Sequence, residues 1–259
     1  MDVLIDLNCM NSYSTIFKSR LKPTLASVLI LSFLVFTLSC GSALPQKVLV
    51  FTKTAGYYHA SIPSGVGALR LMGEQNGFEV DTTSEASWFT DETLSAYNSV
   101  VFLSTTGDVL DAAQQAAFER FIQKGGGFVG VHAAADTEYD WPWYNQLVGA
   151  YFLSHPHQQE ASLQVMDNEH PATKDLPQPW LHFDEWYNYK SMASGLNVLL
   201  NLDETSYKGG ENGANHPIAW YREFDGGRMF YTGLGHTEKA YTDPIFLKHL
   251  LGGIEYVLK

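Results

Sequence analysis

Short apolar runs rich in β-branched residues alternate with segments of helical periodicity from residue 47 onward, and this alternation limits the fold more than any other feature. Residues 47–52 (KVLVFT) and 99–104 (SVVFLS) are almost continuously apolar, which is typical of strands buried on both faces of a sheet. Apolar residues at helical spacing follow these runs, and they end at Asn76-Gly77 and at three glycines, residues 125–127. Strands and helices in this order predict a doubly wound, mostly parallel α/β sheet.

Capping and turn residues predict where the helices begin and how the last strands pair. Ser61 and Asp111 precede the two helical segments and carry side chains that commonly cap helix N-termini. The Asp-Gly-Gly turn at residues 225–227 lies between two apolar runs, which predicts a β-hairpin and thus an antiparallel extension of the sheet. We interpret residues 47–259 as one domain. The other predicted elements are strands at residues 78–82, 128–131, 197–202, 219–224 and 228–232 and a helix at residues 244–258.

The first forty residues are typical of an export signal. Basic residues precede an apolar run at residues 25–38, which is shorter than the ~20 residues that a spanning helix needs. The run leads to Ser39-Cys40, which resembles the site where bacterial lipoproteins are cleaved and lipidated. We therefore expect residues 1–40 to be a signal, a lipid anchor at Cys40 to hold the protein to a membrane, and the protein to be exported to the periplasm or cell envelope. An uncleaved anchor and a plain signal peptide are the alternatives.

Charge and cysteine content exclude two classes of function. The formal net charge is −12, whereas nucleic-acid binding needs clustered lysine and arginine, so we expect no nucleic-acid partner. Both cysteines, Cys9 and Cys40, lie in the first forty residues. The folded part therefore has no disulfide, no thiolate metal ligand and no cysteine nucleophile.

Histidines follow three of the predicted strands at the edge where open α/β sheets bind ligands. His59 follows the first strand, His132 the fourth and His236 the hairpin, and Asp136 lies shortly after His132. A lone histidine is more often a loop or core residue, but convergence on one edge favours a site. We expect His59 or His132 to act as general base, with Asp136 or Glu185 orienting the histidine or accepting a proton.

Two further histidines suggest a metal ion. His155 and His157 have the spacing that, in a strand, directs both side chains to one face. Imidazole and carboxylate groups are common ligands of zinc and other divalent ions, so we expect His155, His236 and Glu185 to hold one. The chain has no compact ligand motif such as HExxH, so the spacing alone does not name the metal.

Aromatic residues near the acidic positions suggest the ligand. Sugar sites combine aromatic faces, which stack on the ring, with polar groups that bond the hydroxyls. We expect Trp141, Trp143 and Trp186 to supply aromatic faces, and Thr105, after the third strand, to contact the same ligand. The alternative is that these side chains belong to the core.

Five short segments occur in a fixed order along the folded part: FTKT at residues 51–54, GVHAAADT at 130–137, WPWY at 141–144, DEWY at 184–187 and GLGHT at 233–237. Taken together, these segments resemble ThuA-like (trehalose utilisation) domains from residue 47 to the C-terminus. The resemblance implies a fold similar to class I glutamine amidotransferases and the flavodoxin-like proteins. In the amidotransferases a sharp turn presents a cysteine nucleophile, and here Gly130-Val131-His132 stands in its place, so the resemblance implies the fold without the cysteine chemistry.

The resemblance also implies work on disaccharides and their 3-keto derivatives. We expect an enzyme, a hydrolase or lyase, that acts on a disaccharide or keto-sugar glycoside through histidine acid–base chemistry with assistance from a divalent metal such as zinc. The alternative is a non-catalytic carbohydrate-binding lipoprotein, which needs the same aromatic residues but no cluster of titratable groups.

Overall fold

The parallel half of the sheet forms where the sequence has its continuously apolar runs. The computed structural model describes residues 45–259, so the expected export signal and the Cys40 anchor lie outside the described residues. The parallel strands have the order β2-β1-β3-β4-β11, and β1, β3 and β4 are almost fully buried. Their bounds are β1 Gln46–Phe51, β2 Phe78–Thr83, β3 Ser99–Leu103, β4 Gly127–Val131 and β11 Gly227–Thr232. The predicted doubly wound α/β fold is confirmed.

The antiparallel half continues the same sheet beyond β11 in the order β10-β9-β6-β7. The predicted hairpin between β10 and β11 is confirmed, and Asp225 and Gly226 at its turn have φ values of 49° and 95°, as a two-residue hairpin of this handedness requires. The extension is larger than the one predicted hairpin. Its strands are β6 Gln159–Val165, β7 Trp180–Asp184, β9 Asn197–Leu202 and β10 Pro217–Phe224, and β5 Tyr151–Ser154 pairs with β8 Asn188–Lys190 in a separate two-stranded sheet.

One of the two predicted helix caps is present and the other is replaced by a tertiary contact. Asp111 accepts bonds from the amides of Ala113 and Gln114, and the Gln114 side chain returns a bond to the Asp111 amide. The prediction for Ser61 is wrong: its backbone is already helical (φ −73°, ψ −13°), and its hydroxyl donates to the Gly235 carbonyl instead. The α-helices are α1 Ile62–Asn76, α2 Asp91–Leu94, α3 Ala112–Gln123, α4 Pro142–Val148 and α5 Pro244–Leu258, and 3-10 helices cover Ala86–Trp88, His132–Asp136 and Glu238–Thr242.

Helices cover both faces of the parallel strands. On one face, Phe118 of α3 stacks on Phe102 of β3 with ring centroids 5.4 Å apart. On the other face, α5 packs so closely on β11 that a Cβ at Gly253 would lie 2.3 Å from the Phe230 ring. The described residues, 45–259, lie within one compact unit. Within the described part of the chain, the helices are all too short or too polar to cross a bilayer.

The sheet bends so that its last strand returns to the parallel half. Three strands separate β7 from β11 in the sheet order. Nevertheless Asp184, the last residue of β7, accepts hydrogen bonds from the backbone amides of Gly235 and His236, just after β11. This contact brings the carboxyl ends of β4, β7 and β11 to one place.

Candidate metal centre

Three histidines and one glutamate meet at the carboxyl edge of the sheet. One nitrogen or oxygen atom from each of His59, His132, Glu185 and His236 lies within 4.8 Å of those of the other three. His59 comes from the loop after β1, His132 from the turn after β4, Glu185 from the end of β7 and His236 from the loop after β11. We refer to these four residues as the histidine–glutamate centre.

The turn at His132 fixes one ring nitrogen and directs the other into the centre. His132 has φ 49°, a left-handed conformation that is unusual for a residue with a side chain. Its Nδ1 lies 2.8 Å from the Gly233 carbonyl oxygen, which can only accept, so Nδ1 carries the proton. In the neutral ring, Nε2 therefore presents a lone pair to the centre, as in many metal-binding histidines.

His59 is buried and has an unsatisfied ring nitrogen. Its ring centroid lies 4.9 Å from that of His132 and 5.1 Å from that of His236. Its Nδ1 is buried and has no hydrogen-bond partner within residues 45–259. Burial lowers the pKa of His59 to about 3, with a further contribution from the charges of His132 and His236, so the ring is neutral at pH 7 and able to ligate.

Glu185 is the carboxylate that the imidazoles share. Its Oε2 lies 3.1 Å from His236 Nδ1 and 3.5 Å from His132 Nε2, and its Oε1 lies 3.2 Å from His155 Nδ1. Burial raises the pKa of Glu185, but the adjacent imidazoles of His132 and His236 outweigh burial and hold the pKa well below its usual range. The group is therefore an ionised carboxylate with two oxygens directed at imidazole rings.

Asp184 positions two members of the centre at once, although the sequence analysis did not single it out. Its carboxylate is fully buried and accepts from the amides of Glu185, Gly235 and His236 at 2.9, 2.7 and 3.1 Å. These bonds join the end of β7 to the loop after β11. The sequence feature that could have indicated this role is the adjacent pair Asp184-Glu185. The Asp184 carboxylate bonds to backbone amides, while the Glu185 carboxylate faces the centre.

The donor atoms have the chemistry and the spacing of a metal site. In a tetrahedral zinc site with bonds of 2.0–2.1 Å, neighbouring ligand atoms are roughly 3.3 Å apart. In the centre, His132 Nε2 and His236 Nδ1 are 3.0 Å apart, and each lies within 3.5 Å of Glu185 Oε2. Together with the unsatisfied nitrogen of His59, these separations fit a divalent ion bound by three imidazoles and a carboxylate.

The structure places His155 beside the centre and His157 outside it. The His155 side chain is 43% exposed and contacts Glu185 without joining the group of four. The expectation that His155 and His157 share one face of a strand is wrong, because β5 ends at Ser154 and Pro156 follows in irregular backbone. His157 is exposed. Of the three expected metal ligands, the structure brings His236 and Glu185 into the centre and leaves His155 at its rim.

Asp136 lies at the rim as a half-buried carboxyl group. The Tyr139 hydroxyl donates to its Oδ1. Burial raises the pKa of Asp136, and this effect exceeds the opposing ones of the Tyr139 hydrogen bond and of the charges on His132 and His155. Asp136 is therefore suited to hold and release a proton close to these histidines.

The structure places the expected sugar-contacting side chains in packed regions rather than at the centre. Thr105 is fully buried and shares a hydrogen bond with Thr137. Trp141 and Trp143 stack on each other, and Trp143 Nε1 donates to Asp225 in the β10–β11 turn, which lies at the opposite end of the parallel strands. Trp186 is also fully buried, and its Nε1 donates to the Gln159 carbonyl.

Tyr187 and Tyr57 take the place next to the histidines that the tryptophans were expected to fill. The Tyr187 ring centroid is 4.3 Å from that of His132, and its ring is buried. The Tyr57 ring meets His59 edge to face at 4.9 Å and is largely exposed. Tyr187 belongs to the DEWY segment at residues 184–187. Which of its side chains faces the histidines depends on the backbone path after β7.

Comparisons with known proteins agree with this fold. The ThuA family model, described as trehalose utilisation, matches residues 47–257. A ThuA-like protein from Bacteroides uniformis is 25% identical, with a TM-score of 0.71, over 86% of this chain and 95% of that one. A ThuA-like protein from Parabacteroides merdae is 24% identical, with a TM-score of 0.71, over 83% of this chain and 90% of that one.

More distant similarity shows the fold alone. A β-galactosidase from Bacillus circulans is 14% identical, with a TM-score of 0.51, and the match covers 82% of this chain but 30% of that one. None of the curated proteins compared with the chain matches it. Because the family model matches nearly all of residues 45–259, the chain belongs to the ThuA (trehalose utilisation) family.

Proposed function

We propose that the protein is a metal-dependent enzyme of carbohydrate metabolism, a hydrolase or lyase that acts on a disaccharide or keto-sugar glycoside. The observation that carries the proposal is the histidine–glutamate centre, in which four ligand atoms lie within 4.8 Å of one another at the ligand-binding edge of the sheet. Membership of the trehalose-utilisation family supports the carbohydrate part of the proposal. The fold by itself supports no reaction, since it hosts many.

The residues divide into ligands and proton carriers. His59, His132, His236 and Glu185 would hold a divalent ion such as zinc, which when bound polarises a carbonyl or a water. Asp136 would serve as the acid that protonates a leaving oxygen, since it lies beside the histidines and burial raises its pKa. The absence of cysteine after Cys40 leaves no thiol for covalent catalysis of the amidotransferase kind.

His132 thereby takes a different role from the one expected from sequence. The expectation was a general base, whereas its free Nε2 faces His236 and Glu185 inside the centre. A nitrogen in that position is better suited to ligation. The proton carriers that contact the rim are then Asp136 and the exposed His155.

Metal content of the full chain, purified in detergent without a polyhistidine tag, tests the proposal. We expect about one equivalent of a divalent metal per chain, as one four-ligand site requires, and loss of that metal in Glu185→Gln and His236→Gln. His157→Gln is the matched control, since His157 is exposed and outside the centre. A protein that stays metal-free when offered zinc, manganese, nickel and iron(II) would contradict the metal site.

Turnover separates an enzyme from a binding protein. Disaccharides and their 3-keto derivatives, incubated with the metal-loaded protein, should yield products that Asp136→Asn no longer forms. Binding of the same sugars without any product would instead favour the non-catalytic carbohydrate-binding lipoprotein.

We also propose that the protein is exported to the periplasm or cell envelope and anchored by lipid at Cys40, on the basis of the sequence pattern at residues 25–42. Replacing Cys40 by Ser should move the protein from the membrane fraction to the soluble fraction. Retention of the variant in the membrane fraction would argue against the lipid.

A further inference from the structure

Two large aromatic side chains are exposed on the loop that carries His59. Tyr57 is 66% exposed and Tyr58 is 56% exposed, whereas the great majority of aromatic residues in residues 45–259 pack in the interior. The expected role of the tryptophans as sugar platforms finds no support in their positions. The exposed aromatic surface beside the centre comes from this loop instead.

The loop backbone is fixed, although its side chains are exposed. The Ala55 amide donates to the Thr106 carbonyl at 2.7 Å, and the Gly56 amide donates to the Thr106 hydroxyl at 3.2 Å. The Thr106 hydroxyl in turn donates to the Tyr57 carbonyl at 2.9 Å. When the backbone is already ordered, ligand binding costs no conformational entropy for ordering the loop. Rigid aromatic side chains of this kind are common in binding sites.

Tyr57 is the outer member of a chain of rings that leads into the centre. It contacts His59 with an interplanar angle of 84°, and His59 contacts His132 at a further 4.9 Å. The rest of the Tyr57 ring is open to solvent, since the side chain remains largely exposed. Within the described part of the chain, Tyr58 makes no such ring contact, although it is the next residue.

The polar groups around the opening determine which ligands suit that face. Glu185 faces His155 at the opening, and Asp136 is a second carboxyl group at the rim. Carboxyl oxygens accept hydrogen bonds from hydroxyl groups, and an aromatic face packs on CH groups, so the combination suits a sugar.

We propose that Tyr57 stacks on the sugar ring next to the reacting one and thereby selects disaccharides over monosaccharides; this rests on the function proposed above. The Tyr57 ring lies 4.9 Å from that of His59 and, within residues 45–259, makes no ring contact with His132 or His236. It therefore lies on the outward side of His59, where the second ring of a disaccharide would extend from a first ring held at the centre. Tyr57 is then a specificity-determining residue, and its hydroxyl is not required.

Calorimetric titration of the full chain with trehalose, sucrose, maltose and glucose tests this role. Tyr57→Ala should weaken disaccharide binding about 3- to 10-fold, the range expected for loss of one aromatic contact. Tyr57→Phe should bind like the wild type, because the ring is kept. Tyr58→Ala is the matched control, since it removes an equally exposed ring from the same loop, and it should change nothing; glucose binding should be the same in all variants.

Three results would overturn the proposal. They are unchanged disaccharide binding in Tyr57→Ala, an equal loss in Tyr58→Ala, and failure of the wild type to bind any of the disaccharides. Metal content measured on the same samples keeps the two proposals apart. If the protein is metal-free but its disaccharide binding depends on Tyr57, the metal-dependent enzyme is refuted and the stacking role of Tyr57 stands. If the protein holds metal but Tyr57→Ala leaves disaccharide binding unchanged, the stacking role is refuted and the metal site stands.

Discussion

At the carboxyl edge of the sheet, three imidazoles surround one carboxylate. On the buried face of α5, by contrast, a single histidine has one hydrogen-bond partner for each ring nitrogen. His249 Nδ1 lies 2.9 Å from the Ala172 carbonyl, and its Nε2 lies 3.1 Å from the Thr232 hydroxyl. A neutral ring satisfies both contacts, with Nδ1 donating and Nε2 accepting. His249 is therefore complete as a structural residue.

The histidine–glutamate centre differs because its nitrogens face one another. His132 Nε2 and His236 Nδ1 are 3.0 Å apart, both are close to Glu185, and His59 Nδ1 has no partner within residues 45–259. Buried polar groups are normally satisfied by the protein, and exceptions need a reason. Both regions consist of buried histidines, so burial alone does not distinguish a site from a core. What distinguishes them is whether both ring nitrogens of each histidine have a suitable hydrogen-bond partner.

The largest expected effect removes the structural histidine. His249→Ala leaves a cavity under α5 and removes the hydrogen bonds to the Ala172 carbonyl and the Thr232 hydroxyl, so we expect a loss of roughly 2–4 kcal/mol in the free energy of unfolding. Urea denaturation measures it. The folded fraction should bind metal as the wild type does, and a variant that keeps its stability but loses metal would show that the two regions are not independent.

A smaller effect is expected at the residue that positions the centre. Asp184→Asn replaces a carboxylate that accepts three backbone amides, which loosens Glu185 and His236 relative to each other. We expect metal affinity to fall about 10- to 100-fold, as for other groups that orient ligands. Competition with a chromophoric chelator measures this affinity. Asp243→Asn, at a half-exposed carboxylate on the outer side of His182, serves as the control. Equal losses in both variants would mean that charge, rather than the backbone bonds, matters.

The smallest change per step is a pH dependence that both regions share, counted for one histidine and one pH unit. Burial lowers the pKa of His59 to about 3 and the pKa of His249 to about 4, below the ordinary value of 6.5. Between these values and pH 6.5 the unfolded chain binds protons that the folded chain refuses, so stability falls as the pH falls. Each group contributes about 1.4 kcal/mol per pH unit in that window.

Urea denaturation at pH 7, 6 and 5 measures this slope. His249→Ala should lose less stability between pH 6 and pH 5 than the wild type does, because one of the neutral histidines is gone. Parallel curves for the two proteins would show that His249 takes up its proton without unfolding.

The strands of the parallel half and the positions of His59, His132 and His236 at strand ends follow from local pattern. Continuous apolar runs identify buried strands, and parallel strands bring their carboxyl ends to one edge. Glu185 was also identified, but its position beside His132 depends on the return of β7, which three strands separate from β11 in the sheet. No periodicity in the sequence predicts how the sheet bends to bring β7 back to β11. The contact that holds β7 there is made by the Asp184 carboxylate, which accepts from backbone amides about fifty residues further along the chain.

The aromatic residues also show that local sequence pattern does not predict which side chains reach the site. Trp141, Trp143 and Tyr57 are alike in sequence, since each lies near a polar strand end. Packing against α3 and the β10–β11 turn draws the tryptophans into the interior, while the hydrogen bonds to Thr106 hold the Tyr57 loop outward. Hydrophobic character predicts that a ring is buried, and its exposure beside a site becomes visible only when its neighbours are known.

The sequence by itself determined the α/β class, the parallel strands, the terminal hairpin and the absence of cysteine chemistry, because these depend on residue type and on patterns a few residues long. Only the tertiary structure decided that His236 joins His59, His132 and Glu185 while His155 stays at the rim. It also decided that Tyr57 rather than Trp143 faces the opening. Ligand sets are distances between segments far apart in the chain, and those distances are fixed by how the sheet bends and how loops pack.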